Sequence, residues 1–202
     1  MIVNMCLGEG TFGKPYRPKC WKSVEDGMLY VDVGAYRGNT TKATLKTYPT
    51  LNAVAIEPVL ENFRHLQDNL KNHPQVQTIR RGCWDSQRRG VIFVNPSHAS
   101  GSTFIGKNRT SKHTVKEAVK LDTLDNILQK LQLGTPHLVK IDTEGAEHLV
   151  LKGFHDHNDR TQFHIEYHMN LSQVLTELFK HGVSEVEITL GNRGGSIYGR
   201  FK

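Results

Sequence analysis

The sequence predicts an α/β domain built on a doubly wound, mostly parallel sheet, with an antiparallel hairpin at its C-terminal edge. Three observations carry this. From residue 28 onward, short apolar runs alternate with segments of helical period, the pattern of parallel strands joined by crossover helices. The first run ends in a glycine turn, VDVGAYRGNT (residues 31–40), directly before a helix start. Residues 185–201 read as two strands around a Gly-Asn-Arg-Gly-Gly turn. A length of 202 residues suits one such domain with a short appendage.

The elements follow in order. Residues 1–28 contain Gly8, Gly10, Gly13, Pro15 and Pro18 and read as an irregular arm, either a lid over a site or a loosely ordered start. Residues 29–202 form the domain. LYVDV (29–33) is a buried strand, and Asn39 or Thr40 caps the helix after it. AVAI (53–56) is the second strand. Pro58 opens a helix whose apolar positions are Leu60, Phe63, Leu66 and Leu70. VQTIRRGCW (76–84) reads as a third strand running into a loop, and GVIFV (90–94) as another strand. Residues 95–113 have no period, and TVKEAVKL (114–121) is a further strand. LDTLDNILQKL (121–131) is an amphipathic helix. HLVKID (137–142) and FHIEY (163–167) are strands. AEHLVLKG (146–153) and LSQVLTELFKHG (171–182) are helices closed by Gly153 and Gly182.

Composition narrows the class. Hydrophobic content of 37% and charged content of 23% are globular rather than disordered. The net charge of +6 is scattered, and its short clusters, Arg80-Arg81 and Arg88-Arg89, lack interleaved aromatics. It reads as a solvated surface rather than a nucleic-acid face. Cys6, Cys20 and Cys83 form no CxxC pair, which argues against a disulfide scaffold and fits a reducing compartment. No apolar run approaches the length of a membrane span, and the N-terminus lacks a signal-peptide core. The expectation is a cytoplasmic protein with no membrane partner.

Five motifs carry chemistry. Gly34 and Gly38 let a ligand approach the backbone at the first strand-to-helix turn, and the GxxxG spacing disfavours a pyrophosphate dinucleotide. Asp32, two residues earlier, suits a ligand ammonium group. Glu57 ends the second strand, where a carboxylate can accept from both ribose hydroxyls. Asp85 follows Gly82-Cys83-Trp84 and could accept from an adenine amino group, with Trp84 packed nearby. KIDTEGAEHLVLKG (140–153) sets Asp142, Glu144 and Glu147 near the mouth of the sheet, though Glu147 also reads as a first-turn acid favouring the helix dipole. HIEYH (164–168) puts His164, Glu166 and His168 on one side of a strand, at the edge that Asp142 also reaches. The carboxylates and imidazoles there could deprotonate a hydroxyl or hold a metal. The HxxxH zinc spacing belongs on a helix, so zinc is not expected. His155 and His157 read as surface residues.

VDVGAYRGNT, AIEP (55–58), SGST (100–103), LDTLD (121–125), VKIDTEGAEHLVLKG (139–153) and HIEYH together resemble the FkbM-type methyltransferases. The resemblance covers residues 29–168, and KIDTEGAE is its most distinctive block. It implies a seven-stranded, Rossmann-like class I methyltransferase sheet with S-adenosylmethionine at the carboxyl edge. It implies methyl transfer to a hydroxyl of a small molecule, sugar or polyketide. Asp32, Gly34, Tyr36 and Gly38 would line the methionine side, Glu57 would hold the ribose, and Asp85 would lie near the adenine. Asp142, Glu144 and His168 would face the acceptor. Tyr36 and Arg37 are larger than the residues expected in the turn, and Arg37 is a candidate partner for the cofactor's carboxylate.

The expected reaction is an in-line displacement in which the acceptor oxygen is aligned and relieved of its proton. Asp142 or His168 is the expected base, a neutral imidazole being better matched to neutral pH. A divalent cation on Asp142, Glu144 and Glu166 is the alternative activator, although no metal is assigned. The competing classes are a nicotinamide oxidoreductase on the same fold, a nucleic-acid methyltransferase or binder, and a non-catalytic scaffold.

Overall fold

The computed structural model describes residues 2–7, 21–94, 115–191 and 194–202, and of residues 2–7 the backbone alone. The chain runs β1 (Ile2–Leu7), β2 (Leu29–Val33), α1 (Asn39–Thr47), β3 (Asn52–Ile56), α2 (Leu60–Leu70), β4 (Val76–Ile79), β5 (Gly82–Cys83), β6 (Arg88–Val94), β7 (Val115–Asp122), α3 (Leu124–Lys130), β8 (Leu138–Ile141), α4 (Glu147–Lys152), β9 (Gln162–Tyr167), α5 (Leu171–His181), β10 (Val183–Gly191) and β11 (Gly194–Phe201). The SGST stretch and the tip of the C-terminal turn, Asn192-Arg193, lie outside the described residues.

The apolar runs become central strands because they are covered on both faces. Every residue of β2 and of β8 is buried. Strand alternation sends Leu29, Val31, Val33, Val54, Ile56, Val139 and Ile141 to one face, where Leu124, Leu128, Val150, Leu151, Val174 and Leu178 of α3, α4 and α5 pack on them. The opposite face takes Tyr30, Ala53, Ala55 and Leu138 against Leu45 of α1 and Leu66 and Leu70 of α2. Each fully buried side chain of this size stabilises by roughly 1.5–3 kcal/mol.

The main sheet has the order β1-β10-β11-β9-β8-β2-β3-β4, and β11 alone runs against its neighbours. From β10 to β4 this is the expected seven-stranded, mostly parallel sheet with an antiparallel C-terminal pair. The chain leaves β2 toward β3 and β4, then returns to place β8 on the other side of β2. The crossovers diverge at that point and open a crevice at the carboxyl ends of β2 and β8.

Three expectations change. Ile2–Leu7 are not irregular: they form β1, an eighth strand parallel to β10, with Ile2 opposite Glu185 and Leu7 opposite Leu190. That pairing joins the two ends of the chain, so no local pattern announces it. Residues 21–28 do not cover the crevice. Trp21 packs edge-on against Tyr30, ring centroids 5.3 Å apart, beside Met28, Leu51 and Leu138 at the amino ends of the parallel strands. The backbone of Lys22 exchanges hydrogen bonds with the Gln162 amide there, at 2.7 and 2.9 Å. Finally, residues 76–84 are not one strand. The chain leaves the main sheet at Arg80, whose guanidinium donates to Glu117 at 2.8 Å and to the Pro58 carbonyl. β5 then joins a separate three-stranded sheet, β5-β7-β6, whose inner side buries Ile92, Val119 and Leu121 with Trp84 and Val59. Among the described residues, no helix is long and apolar enough to cross a membrane.

Candidate active site

A cavity of about 420 Å³ lies over the carboxyl ends of β2, β3 and β8. Its walls are the turn from Gly34 to Tyr36, the first residues of α1, Glu57 and Asn62, the Arg81-Gly82-Cys83 segment with Ile92, and Lys140 with residues 142–144.

The glycine turn is built for close approach. Gly34 has φ +82°, and a side-chain carbon there would overlap the carbonyl oxygen of Asp142, which the Asp142 N–H to Val33 carbonyl bond (2.9 Å) holds in place. Tyr36 also adopts a left-handed backbone, φ +52°, and its N–H donates to Glu57 Oε2 at 3.0 Å. Glu57 is buried, and its other oxygen accepts from Val59 N–H at 3.0 Å and Asn62 Nδ2 at 3.3 Å. Burial pushes its carboxyl up to about 7 against these donors. A buried carboxylate facing a cavity with lone pairs left is an acceptor for ligand hydroxyls.

Asp32 does not line the cavity. It is fully buried beneath it, where Thr41 Oγ1 of α1 donates to its Oδ2 at 2.7 Å and Lys140 stands opposite it in the register. Burial raises its carboxyl, and the Lys140 cation opposes that rise. Asp85 is also outside the wall: it is exposed and accepts from Ser86 Oγ at 2.8 Å. Trp84 is buried in the appended sheet with the Arg88 guanidinium 5.0 Å from its ring centroid. Arg81, Gly82 and Cys83 occupy the wall that Asp85 was expected to supply.

The carboxylate and imidazole groups do converge. His168 Nε2 lies 4.0 Å from Asp142 Oδ1 and 3.8 Å from Glu144 Oε1, and its Nδ1 is 3.2 Å from Glu147 Oε1. Burial works against charging this ring, but the Glu147 hydrogen bond and the Glu144 and Asp142 carboxylates outweigh it and raise its pKa to about 9. At neutral pH it is therefore an imidazolium, not the neutral base expected. Asp142, Glu144 and His168 each offer a ligand atom within 4.8 Å of the others, a spacing that would suit a divalent cation, and the imidazolium already supplies positive charge there. His164 lies apart from this cluster, buried and stacked on Tyr198 with centroids 4.4 Å apart.

Sequence reading missed Lys140, whose side chain is 3% exposed, donates to Asp142 Oδ2 at 3.0 Å and lies 3.7 Å from Glu166. Three carboxylates around it hold its ammonium charged despite burial, well above the ordinary range. The signal was present: a lysine inside a strand that is otherwise apolar. Nothing in the sequence marked Asn170, whose Nδ2 donates to Glu147 Oε2 at 2.7 Å and to the Gly145 carbonyl at 3.0 Å.

Comparison with known proteins returns one family and many similar folds. The model of the methyltransferase FkbM domain matches residues 32–189. The hexuronic acid methyltransferase AglP of Haloferax volcanii is 30% identical over 182 residues, covering 85% of this chain and 69% of that protein. Among solved structures, precorrin-6Y C5,15-methyltransferase from Geobacter metallireducens superposes with a TM-score of 0.56 at 14% identity, over 89% of this chain and 82% of that one. The fibrillarin pre-rRNA processing protein of Methanococcus jannaschii superposes with a TM-score of 0.57 at 10% identity, over 88% and 67%. The fold is that of the Rossmann-like class I methyltransferases.

Proposed function

The chain belongs to the methyltransferase FkbM domain family, and from that membership we propose that it is an S-adenosylmethionine-dependent O-methyltransferase acting on an oxygen of a sugar. The observation that carries the cofactor reading is the pairing of the side-chain-free cradle at Gly34 with the buried Glu57 carboxylate across the same cavity. The acceptor class follows from likeness to a hexuronic acid methyltransferase.

The residues present fit S-adenosylmethionine. The turn from Gly34 to Tyr36 and the start of α1, where Asn39 and Thr40 reach the cavity, would hold the methionine end; Gly38, expected to line it, instead makes room for Leu66 and Leu70 of α2. Glu57 would accept from the ribose hydroxyls. Arg81, Cys83 and Ile92 would border the adenine, in place of Asp85. When bound, the cofactor supplies a methyl group on a sulfonium and needs no activation. The protein's task is then to orient the acceptor oxygen and take its proton. Asp142 is the base in this reading, because His168 is already protonated at neutral pH and has no lone pair to offer. The His168 imidazolium and the Lys140 ammonium flank Asp142 and steady the charge that develops on the acceptor oxygen.

Calorimetric titration with S-adenosylmethionine, S-adenosylhomocysteine and NAD tests the cofactor. We expect the first two to bind and Glu57→Ala to weaken both about 100-fold, the loss of two hydrogen bonds to a charged group. Failure of both to bind a folded protein would sink the reading, and tight NAD binding would replace it. Transfer of labelled methyl to a uronic-acid oligosaccharide tests the acceptor. One observation favours a second reading, a nucleic-acid acceptor. Arg89, Val91 and Phe93 lie opposite Lys120, Ala118 and Lys116 on one face of β6 and β7, and the Lys116 ammonium stands 5.8 Å from the Phe93 ring centroid. Binding of RNA that weakens steeply with salt and fails in Arg89→Ala/Lys120→Ala would support it.

A further inference from the structure

One buried group near the site lines no part of the cavity. Glu147, in the first turn of α4, is fully buried. A carboxylate serving only the helix dipole would face solvent; this one is saturated with donors. Oε1 accepts from the Thr143 N–H at 3.1 Å, the Gly145 N–H at 2.9 Å and the His168 ring at 3.2 Å, and Oε2 accepts from Asn170 at 2.7 Å.

These four contacts join two separate segments. Thr143 and Gly145 flank Glu144 in the turn after β8, where Glu144 has φ +55° and Gly145 φ +109°. That conformation disfavours a glutamate and persists because something outside the turn holds it. His168 and Asn170 lie just past β9. Asn170 doubles the link: its side chain accepts from the His168 N–H at 3.2 Å and donates to the Gly145 carbonyl at 3.0 Å. One carboxylate thus sets the turn that carries Asp142 and Glu144 against the segment that carries His168.

We propose that Glu147 is the positioning residue of the acceptor site: it pins the Nδ1 edge of His168 so that Nε2 points at the corner between Asp142 and Glu144. Glu147 itself lies outside the cavity wall, so it acts only through the groups it holds. The groups that face His168 are Glu147 from α4, Asp142 and Glu144 from the turn after β8, and Glu166 from β9. All are acidic, so the ring has one direction for each N–H. The catalytic consequence rests on the methyl-transfer reading; the orientation of the ring does not.

The test is NMR of protein carrying ¹⁵N-labelled histidine, with S-adenosylhomocysteine calorimetry and activity beside it. Wild-type His168 is expected to show a downfield, hydrogen-bonded Nδ1–H. Glu147→Gln should lose the downfield signal while binding S-adenosylhomocysteine within about threefold of wild type, because Glu147 itself lines no part of the cavity and a Gln oxygen can still accept from the Thr143 and Gly145 N–H groups. With a sugar acceptor, kcat should fall roughly 10–100-fold with the cofactor KM unchanged. In a His168→Gln background the same change should cost clearly less rate than in wild type, as expected of a residue acting largely through another. Equal rate losses in both backgrounds, or an unaltered His168 signal in Glu147→Gln, would overturn the proposal. If Glu147→Gln does not fold, the wild-type spectrum still decides: a His168 with hydrogen only on Nε2 excludes the contact. Absence of methyl transfer to any acceptor would remove the enzymatic reading and leave the NMR result standing.

Discussion

Lys140 shows how one residue can set the electrostatics of a site from below. Its Cα is level with that of Asp32 in the neighbouring β2, and its ammonium, 3% exposed, reaches Asp142 at the cavity wall and Glu166 beyond it. Replacing it by Met would keep the volume and strand the Asp32 carboxylate in the core. We expect Lys140→Met to lose about 3 kcal/mol of stability in urea unfolding. The loss should shrink at acid pH, where Asp32 protonates readily because burial already raises its carboxyl. A Lys140→Met protein as stable as wild type would mean that the pair is not coupled. Gly34 is constrained by space and conformation together, with φ +82° and the Asp142 carbonyl where a side chain would begin. Gly34→Ala should cost on the order of 3 kcal/mol and abolish S-adenosylhomocysteine binding, measured by denaturation and calorimetry.

Among the elements, β1 and the appended sheet differ from the rest in what they owe to local pattern. β1 is an edge strand with β10, β11, β9 and β8 between it and β2. Its removal should lower stability without reaching the crevice. A chain lacking residues 1–7 is expected to melt earlier and to bind S-adenosylhomocysteine within about twofold of the full chain. A large loss of affinity would show that the N-terminus communicates with the site. The appended sheet does reach it: β5 and Ile92 of β6 form one wall of the cavity. The short apolar runs of β2, β3, β8 and β9 were legible because each is buried on both faces and bounded by turn residues. The exit of β5 from the main sheet was not legible, because β5 pairs with β7, a segment far along the chain.

For the molecule as a whole, three titrating groups predict the pH range of greatest stability. His157 stacks on Phe201 at 3.9 Å, and burial and the neighbouring His181 lower it from 6.5 to about 4. A depressed histidine contributes stability above 6.5 that is lost as pH falls toward 4. His168, raised to about 9, contributes stability below 6.5 that is lost as pH rises through 9. Glu57, raised from 4.5 to about 7 by burial, acts in the same sense: its contribution is complete below 4.5 and gone above 7. The gain from His157 and the loss from Glu57 offset each other between about pH 4.5 and 6.5, so the denaturation midpoint should be nearly level there and fall on both sides. His157→Phe should remove the acid limb, and Glu57→Gln should let stability climb through the level stretch to a maximum close to pH 6.5. A monotonic profile from pH 4 to 10 would contradict these assignments.

By itself the sequence determined the order of strands and helices apart from β1 and the break between β4 and β5, the glycine turn at Gly34 and Gly38, Glu57 at the end of the second strand, and the meeting of Asp142, Glu144 and His168 at one edge. Each follows from a period of 2 or 3.6 residues, a turn requirement or the topology those periods impose, and all of these are local rules read along the chain. Only the tertiary structure decided that Asp32 lies under the cavity, that Arg81 rather than Asp85 borders it, and that His168 is charged. It also decided that Glu147, which reads as an ordinary first-turn acid, is buried and holds His168. Burial and protonation are sums over neighbours that arrive from distant segments. The residues that surround His168 come from the turn after β8, from α4 and from the end of β9, and no window of sequence contains them together.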